Sequence, residues 1–259
     1  MKTSILVIAG VAMMITAMTT RKKNTGIQQE APGTIKGVNT SIVILELFTS
    51  EGCSSCPPAD RLLPELAKQD AHIIPLSFHV DYWNRLGWTD PFSNSDYSER
   101  QRIYSDQFKL ESVYTPQLVV NGEYEMVGSD RNKAVTAIQK AGEDKALTAL
   151  NIQNVKITGK EIECTVQQQG DLKRSELVVL LVQKNAVVKV KAGENKGSEL
   201  SHTNVVRSLI KQAATGKNEV RLELPADIKN NNWQIVAFTQ QKTNLKITGA
   251  IEFQPVTSN

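Results

Sequence analysis

The chain has 259 residues, 40% of them hydrophobic and 22% charged, ordinary globular proportions that suit two modest domains or one large one. Thirty basic and 27 acidic residues leave a formal net charge of +3, and no basic patch interleaved with aromatics marks a nucleic-acid partner. Three cysteines are too few for a disulfide-scaffold miniprotein.

Residues 1–23 open with Lys2, run through apolar Ile5 to Met18 and end in Arg21-Lys22-Lys23. The run is shorter than the ~20 residues of a comfortable bilayer span and reads as an export signal, with an uncleaved N-terminal anchor as the alternative. No cysteine follows it, so a lipid-anchored form is not expected. The protein is therefore expected in the periplasm or secreted, meeting a membrane only through that segment if it is retained. Residues 24–40, polar with Gly26, Pro32, Gly33 and Gly37, read as a linker.

Residues 41–145 read as an α/β domain. Ile42 to Phe48 is a near-continuous apolar run, the pattern of a strand buried on both faces. Leu62, Leu63, Leu66 and Ala67 then follow helical spacing, with Pro64 as a kink. Ile73 to Val80 is a second strand and residues 96–108 a second helix. Leu118-Val119-Val120 and Tyr124 to Val127 flank Asn121-Gly122, a two-residue hairpin signal. Ser129 is placed to cap a helix through Ala134, Ile138 and Ala141. The order strand–helix–strand–helix–hairpin–helix matches the thioredoxin core, a central mixed sheet flanked by helices.

From residue 146 to 259 the periodicity changes to two. Val220, Leu222 and Leu224 alternate with polar residues, as do Leu245, Ile247, Ile251 and Phe253, so a mostly antiparallel, sandwich-like β domain is expected. His202 to Ala214 fits strand or helix, because Val206, Leu209, Ile210 and Ala213 also share a helical face. Cys164 alternates with Ile162 and Val166 and is expected in a core as a small hydrophobe.

The chemistry concentrates at Cys53-Ser54-Ser55-Cys56, between the first strand and first helix. Two thiols with two residues between them at such a junction suit thiol–disulfide exchange. Helix N-terminal N–H groups favour a thiolate, so Cys53 is the expected attacking or attacked sulfur and Cys56 the resolving one. Glu51 opposes ionisation, and Pro57-Pro58 could delay the helix start. His79 and Asp81, at the end of the second strand, are a candidate proton relay. Tyr82, Trp83, Trp88 and Phe92 lie in an aromatic loop that suits either a client surface or a local mini-core. In thioredoxin-like folds a step such as Thr115-Pro116 carries a cis-proline facing the dithiol and would position substrate. No separate cofactor is expected; the redox-active disulfide is itself the reactive group.

Several of these segments together resemble a bacterial secreted family catalogued as domain of unknown function 1223. They are Glu46 to Asp60, Phe78 to Asn84, Gly87 to Phe92, Tyr114 to Gln117, Val120 to Gly122, Gly128 to Asp130, Gly193 to Gly197 and His202 to Arg207. The resemblance implies a thioredoxin-like fold in the cell envelope and brings no activity of its own. The expected function is a thiol–disulfide oxidoreductase acting on thiol- or disulfide-containing proteins or small thiols. Two alternatives stand beside it: a partner-binding module braced by a structural Cys53–Cys56 disulfide, and copper or zinc handling through Cys53, Cys56 and His79.

Overall fold

β1 (Val43–Thr49) is buried along its whole length, and its two faces explain its unbroken apolar run. Val43, Leu45 and Leu47 pack on one side with α1 (Pro57–Ala67) and α3 (Arg131–Glu143). Ile44 and Phe48 pack on the other side with Tyr97 and Tyr104 of α2 (Ser95–Phe108). A strand covered on both faces has no side on which polar alternation is favoured. β2 (Ile73–His79) lies parallel to β1, and β3 (Gln117–Val120) lies antiparallel to it with β4 (Tyr124–Val127) outermost. This computed structural model describes residues 42–229 and 232–255. The expected export signal and linker lie outside the described residues.

In the second half, β5 (Thr148–Thr158), β6 (Glu161–Gly170) and β9 (Lys217–Glu223) form a three-stranded antiparallel sheet. β7 (Ser175–Lys189), β8 (Glu199–Ala213), β10 (Trp233–Gln241) and β11 (Ile247–Phe253) do not form a sheet of their own. They continue the first sheet, giving eight strands in the order β11-β10-β7-β8-β2-β1-β3-β4. Period two again sets the packing. Leu177, Val179 and Leu181 face the small sheet through Ile162, Cys164, Val166, Val220 and Leu222, while Val178, Leu180 and Val182 share the α2-side core with Ile44 and Phe78. The protein is thus a mixed sheet with helices and an added antiparallel sheet, and the expected boundary at 145/146 is crossed by one continuous sheet.

The seam between halves is β2 against β8, a parallel contact with one register pair, Ser77 with Val205. Pro75 has no N–H to donate, and its carbonyl is taken by the Asn204 side chain at 2.9 Å. Ser77 Oγ donates to the Thr203 carbonyl at 2.8 Å. Side chains therefore complete a ladder that the backbone leaves thin.

One open reading is resolved and three local expectations are corrected. Residues 199–213 are strand: opposite Leu181 and Val182 the register skips Arg207, so Val205 and Val206 are both buried. This bulge breaks the alternation and mimics helical spacing. The hairpin turn holds Asn121, Gly122 and Glu123 rather than two residues; Gly122 has φ +72°, and a Cβ there would meet the Leu245 carbonyl oxygen at 1.9 Å. Asp130, not Ser129, caps α3 by accepting from Lys133 N–H. Leu245 is a turn residue with φ 61° outside β11.

Candidate functional site at the Cys53–Cys56 pair

β1 ends at Thr49 and the chain turns through residues 50–56 into α1. Cys53 and Cys56 are joined as a disulfide. Cys56 is the N-cap of α1, whose first residues are Pro57 and Pro58, so the prolines do not delay the helix. Proline suits the first helical turn because its missing N–H would be unpaired there anyway. The Cys56 carbonyl accepts from Ala59 and Asp60 N–H at 2.9 and 3.1 Å, and Cys56 N–H donates to the Cys53 carbonyl. Cys53 therefore lies just beyond the positive end of the helix.

The Thr115–Pro116 segment faces this turn. Ser55 Oγ donates to the Thr115 carbonyl and lies 3.4 Å from Cys53 Sγ. The Thr115–Pro116 peptide is cis. The aromatic loop fixes the segment, with Trp83 Nε1 donating to Thr115 Oγ1 at 2.8 Å, while Gln101 Nε2 donates to the Tyr114 carbonyl at 2.7 Å.

Both cysteines are 0% exposed, although Ser54 and Ser55 between them are exposed. Residues from the distant β7–β8 connection lie on this turn. Glu194 Oε2 accepts from Ser54 N–H at 3.0 Å. Asn195 Nδ2 donates to both the Glu51 and Cys53 carbonyls at 2.9 Å. Neither residue was among the expected site residues; the only sequence signal was their place in the Gly193-Glu194-Asn195-Lys196-Gly197 motif.

Next to the turn lies a buried group of acids and imidazoles: Glu51, Asp60, His79, Asp90 and His202. His79 Nδ1 meets Asp90 Oδ2 at 2.7 Å, and the same carboxylate accepts from Glu51 and Phe92 N–H. His202 Nε2 is 3.4 Å from Glu51 Oε1, and its Nδ1 is 3.9 Å from Asp60 Oδ2. The two imidazoles meet edge to face, ring centroids 4.6 Å apart. Burial disfavours a charged His79, but the Asp90 carboxylate outweighs it and holds that imidazole above its ordinary pKa. Burial likewise works against the Asp90 charge, and His79 with the two backbone donors brings Asp90 below the ordinary range. At Asp60 burial outweighs the nearby His202 and His79 imidazoles and raises the carboxyl above its ordinary range. Thr49 Oγ1, Glu51 Oε1, Asp60 Oδ1, His79 Nε2 and both His202 nitrogens are buried without a hydrogen-bond partner among the described residues.

The expected relay is rearranged. His79 lies in this group, but its partner is Asp90; Asp81 instead accepts from Ser98 Oγ of α2 at 2.5 Å. The aromatic loop is also tied inward. Tyr82 hydroxyl donates to Gln101, and Trp88 Nε1 donates to Glu51 Oε2 at 2.7 Å. Phe92 is buried against His79 and His202, so it offers no client surface. Tyr82, Trp83 and Trp88 remain half-buried. For metal handling, the sulfurs are bonded to each other, and no group of three or more His, Cys, Asp or Glu among the described residues could hold a metal ion. Cys164 is free and buried in the small-sheet core, where burial pushes its thiol up to about 12.

A Methanocaldococcus jannaschii thioredoxin is 31% identical over 101 residues, which are 39% of this chain and 96% of that protein. The crystal structure of an Agrobacterium tumefaciens protein superposes with a TM-score of 0.61 at 27% identity, covering 86% of this chain and 98% of that one. HBP35 of Porphyromonas gingivalis shares the fold with a TM-score of 0.62 at 16% identity, over 85% of this chain and 76% of that one. The family described as Protein of unknown function (DUF1223) matches residues 44–240, and the chain belongs to that family.

Proposed function

We propose that the protein is a thiol–disulfide oxidoreductase with a thioredoxin-like first half, exchanging the Cys53–Cys56 disulfide with a thiol-bearing protein or small thiol. The supporting observation is one juxtaposition: a disulfide at the N-terminus of α1 with Ser55 Oγ on the carbonyl of Thr115, next to Pro116. The likeness to a thioredoxin supports the same reading. A client thiolate attacks Cys53 Sγ; the client–Cys53 bond forms as the Cys53–Cys56 bond breaks, and Cys56 leaves as a thiolate and takes up a proton. A second client thiolate attacks the client's own sulfur and releases Cys53. The client loses two electrons and two protons, and the cysteine pair gains them. Run backwards, the same steps reduce a client disulfide. The helix N-terminus favours Cys53 as the thiolate, Thr115 and Pro116 align the client segment, and His79 with Asp90 behind it stands as the proton-handling residue. Export to an oxidising compartment is part of the proposal, since both forms of the pair are useful there.

Cys53→Ala is expected to abolish turnover of a dithiol substrate. A variant that turns over as fast as the parent overturns the reading. A second reading, the disulfide as a brace, is favoured by one observation, the complete burial of both cysteines. The reduction potential separates them: an exchanging disulfide lies above about −300 mV and a structural one below it.

A further inference from the structure

The motif Gly193-Glu194-Asn195-Lys196-Gly197 has no part in the exchange chemistry, yet its bonds reach the dithiol turn across 140 to 144 residues of chain. Its three side-chain hydrogen bonds all fall on the backbone of residues 51–54. Asn195 holds two carbonyls with one amide group, and Glu194 takes the Ser54 N–H directly after Cys53. Gly193, at φ +74°, lies so close to Trp88 that a Cβ would meet the Trp88 Cβ at 3.3 Å. Trp88 in turn holds Glu51. The strap is thus bonded to the dithiol turn directly and seated on the residue that anchors that turn.

Three facts bear on its role. The sulfurs are fully buried, and exchange needs a client sulfur in line with the disulfide bond. The strap residues Glu194, Lys196 and Gly197 are exposed, while Glu194 and Asn195 hold the backbone on both sides of Cys53. Its attachments are hydrogen bonds near the surface, which net only modest stability each. Glu194 also brings a carboxylate beside Cys53, where it works against a thiolate.

We propose that residues 193–197 form a gate on the Cys53–Cys56 disulfide, with Asn195 as its latch and Glu194 as a positioning residue that keeps Cys53 unreactive while the gate is shut. A client gains the sulfurs only after Asn195 lets go of the Glu51 and Cys53 carbonyls. The second half of the chain then decides when the first half reacts. The inference rests on reading the pair as an exchanging disulfide, but its test does not require a client.

The test is the rate at which dithiothreitol reduces the Cys53–Cys56 disulfide in the full-length oxidised protein. The parent is compared with Asn195→Ala, Asn195→Asp and, as a control on the same strap, Lys196→Ala. Thermal unfolding verifies that each variant is folded. Asn195→Ala is expected to react about tenfold faster or more, the scale set by two lost hydrogen bonds. Asn195→Asp is expected to react at least as fast, because its carboxylate faces two carbonyl oxygens. Lys196→Ala should match the parent. Glu194→Gln should lower the pKa of the reduced Cys53 thiol, read by the pH dependence of its alkylation. Unchanged or slower reduction in both folded Asn195 variants overturns the gate. Faster reduction without turnover of any dithiol client would keep the gate and overturn the oxidoreductase reading instead.

Discussion

Two buried polar regions join the halves of this protein, and they are built in opposite ways. On the α2 face, Glu46 of β1 receives Arg100 at 2.5 and 2.9 Å and the Tyr104 hydroxyl at 2.5 Å, while Gln240 of β10 bonds both Arg100 and Tyr104. The Arg100 guanidinium also lies over the rings of Phe78, Tyr104 and Phe238. No side-chain atom of that network lacks a partner. Beside the dithiol, Thr49, Glu51, Asp60, His79 and His202 leave six atoms without a partner among the described residues. Saturated networks fix a structure, whereas a fold tolerates unpaired buried groups chiefly where function needs them. On the proposed function, the first region carries stability and the second the chemistry.

The comparison is broken most directly by stability measurements. Arg100→Met leaves the Glu46 carboxylate buried without its counter-ion, held only by the Tyr104 hydroxyl, and should cost about 3–5 kcal/mol in denaturant unfolding. The pair Glu46→Leu with Arg100→Met should recover part of that loss, because no unpaired charge stays buried, while Gln240 Oε1 and the Tyr104 hydroxyl still lose a partner. A single variant costing under about 1 kcal/mol would show that saturation there is not structural. His79→Asn removes a charge-assisted bond to Asp90 and should cost about 1.5–3 kcal/mol below neutral pH.

The pH profile sharpens the same point. His79 binds its proton more tightly folded than unfolded, so its contribution is complete below its ordinary value of 6.5 and is lost as pH rises through the folded value. Asp60, raised by burial, acts in the same direction, its contribution declining above 3.8. Asp90 acts oppositely, losing its contribution only as pH falls below its ordinary range. Glu51 and His202 also face this group; stability should fall from about pH 6.5 upward, and His79→Asn should flatten that slope. The smallest effect is expected at His202. Its nitrogens make no hydrogen bond, so His202→Leu should change stability by under about 1 kcal/mol while altering the rate of dithiol exchange.

What the sequence revealed follows the reach of each signal. β1 was legible as a near-continuous apolar run and α1 by its helical spacing, because both signals are set by near neighbours. β8 was ambiguous because a bulge at Arg207 flips the alternation midway. The Cys53–Cys56 pair and Thr115–Pro116 were legible as motifs. Asp90 was missed as the partner of His79 because Asp81, two residues away, looked sufficient. Asn195 and His202 were beyond reach: each meets the dithiol region only because β8 adds to β2, and that seam carries a single backbone register pair. A contact created by one strand pairing across the chain leaves no periodic trace.

The placement of the strap also orders events in time. Cys53 and Cys56 leave the ribosome some 140 residues before the segment that covers them, an interval of roughly 7–30 s at ordinary elongation rates. Throughout synthesis of β2 to β7 the two thiols have no cover. Closure is therefore a late event in the life of each new molecule, and the newborn chain passes through a stage in which its dithiol is open to any passing thiol or disulfide.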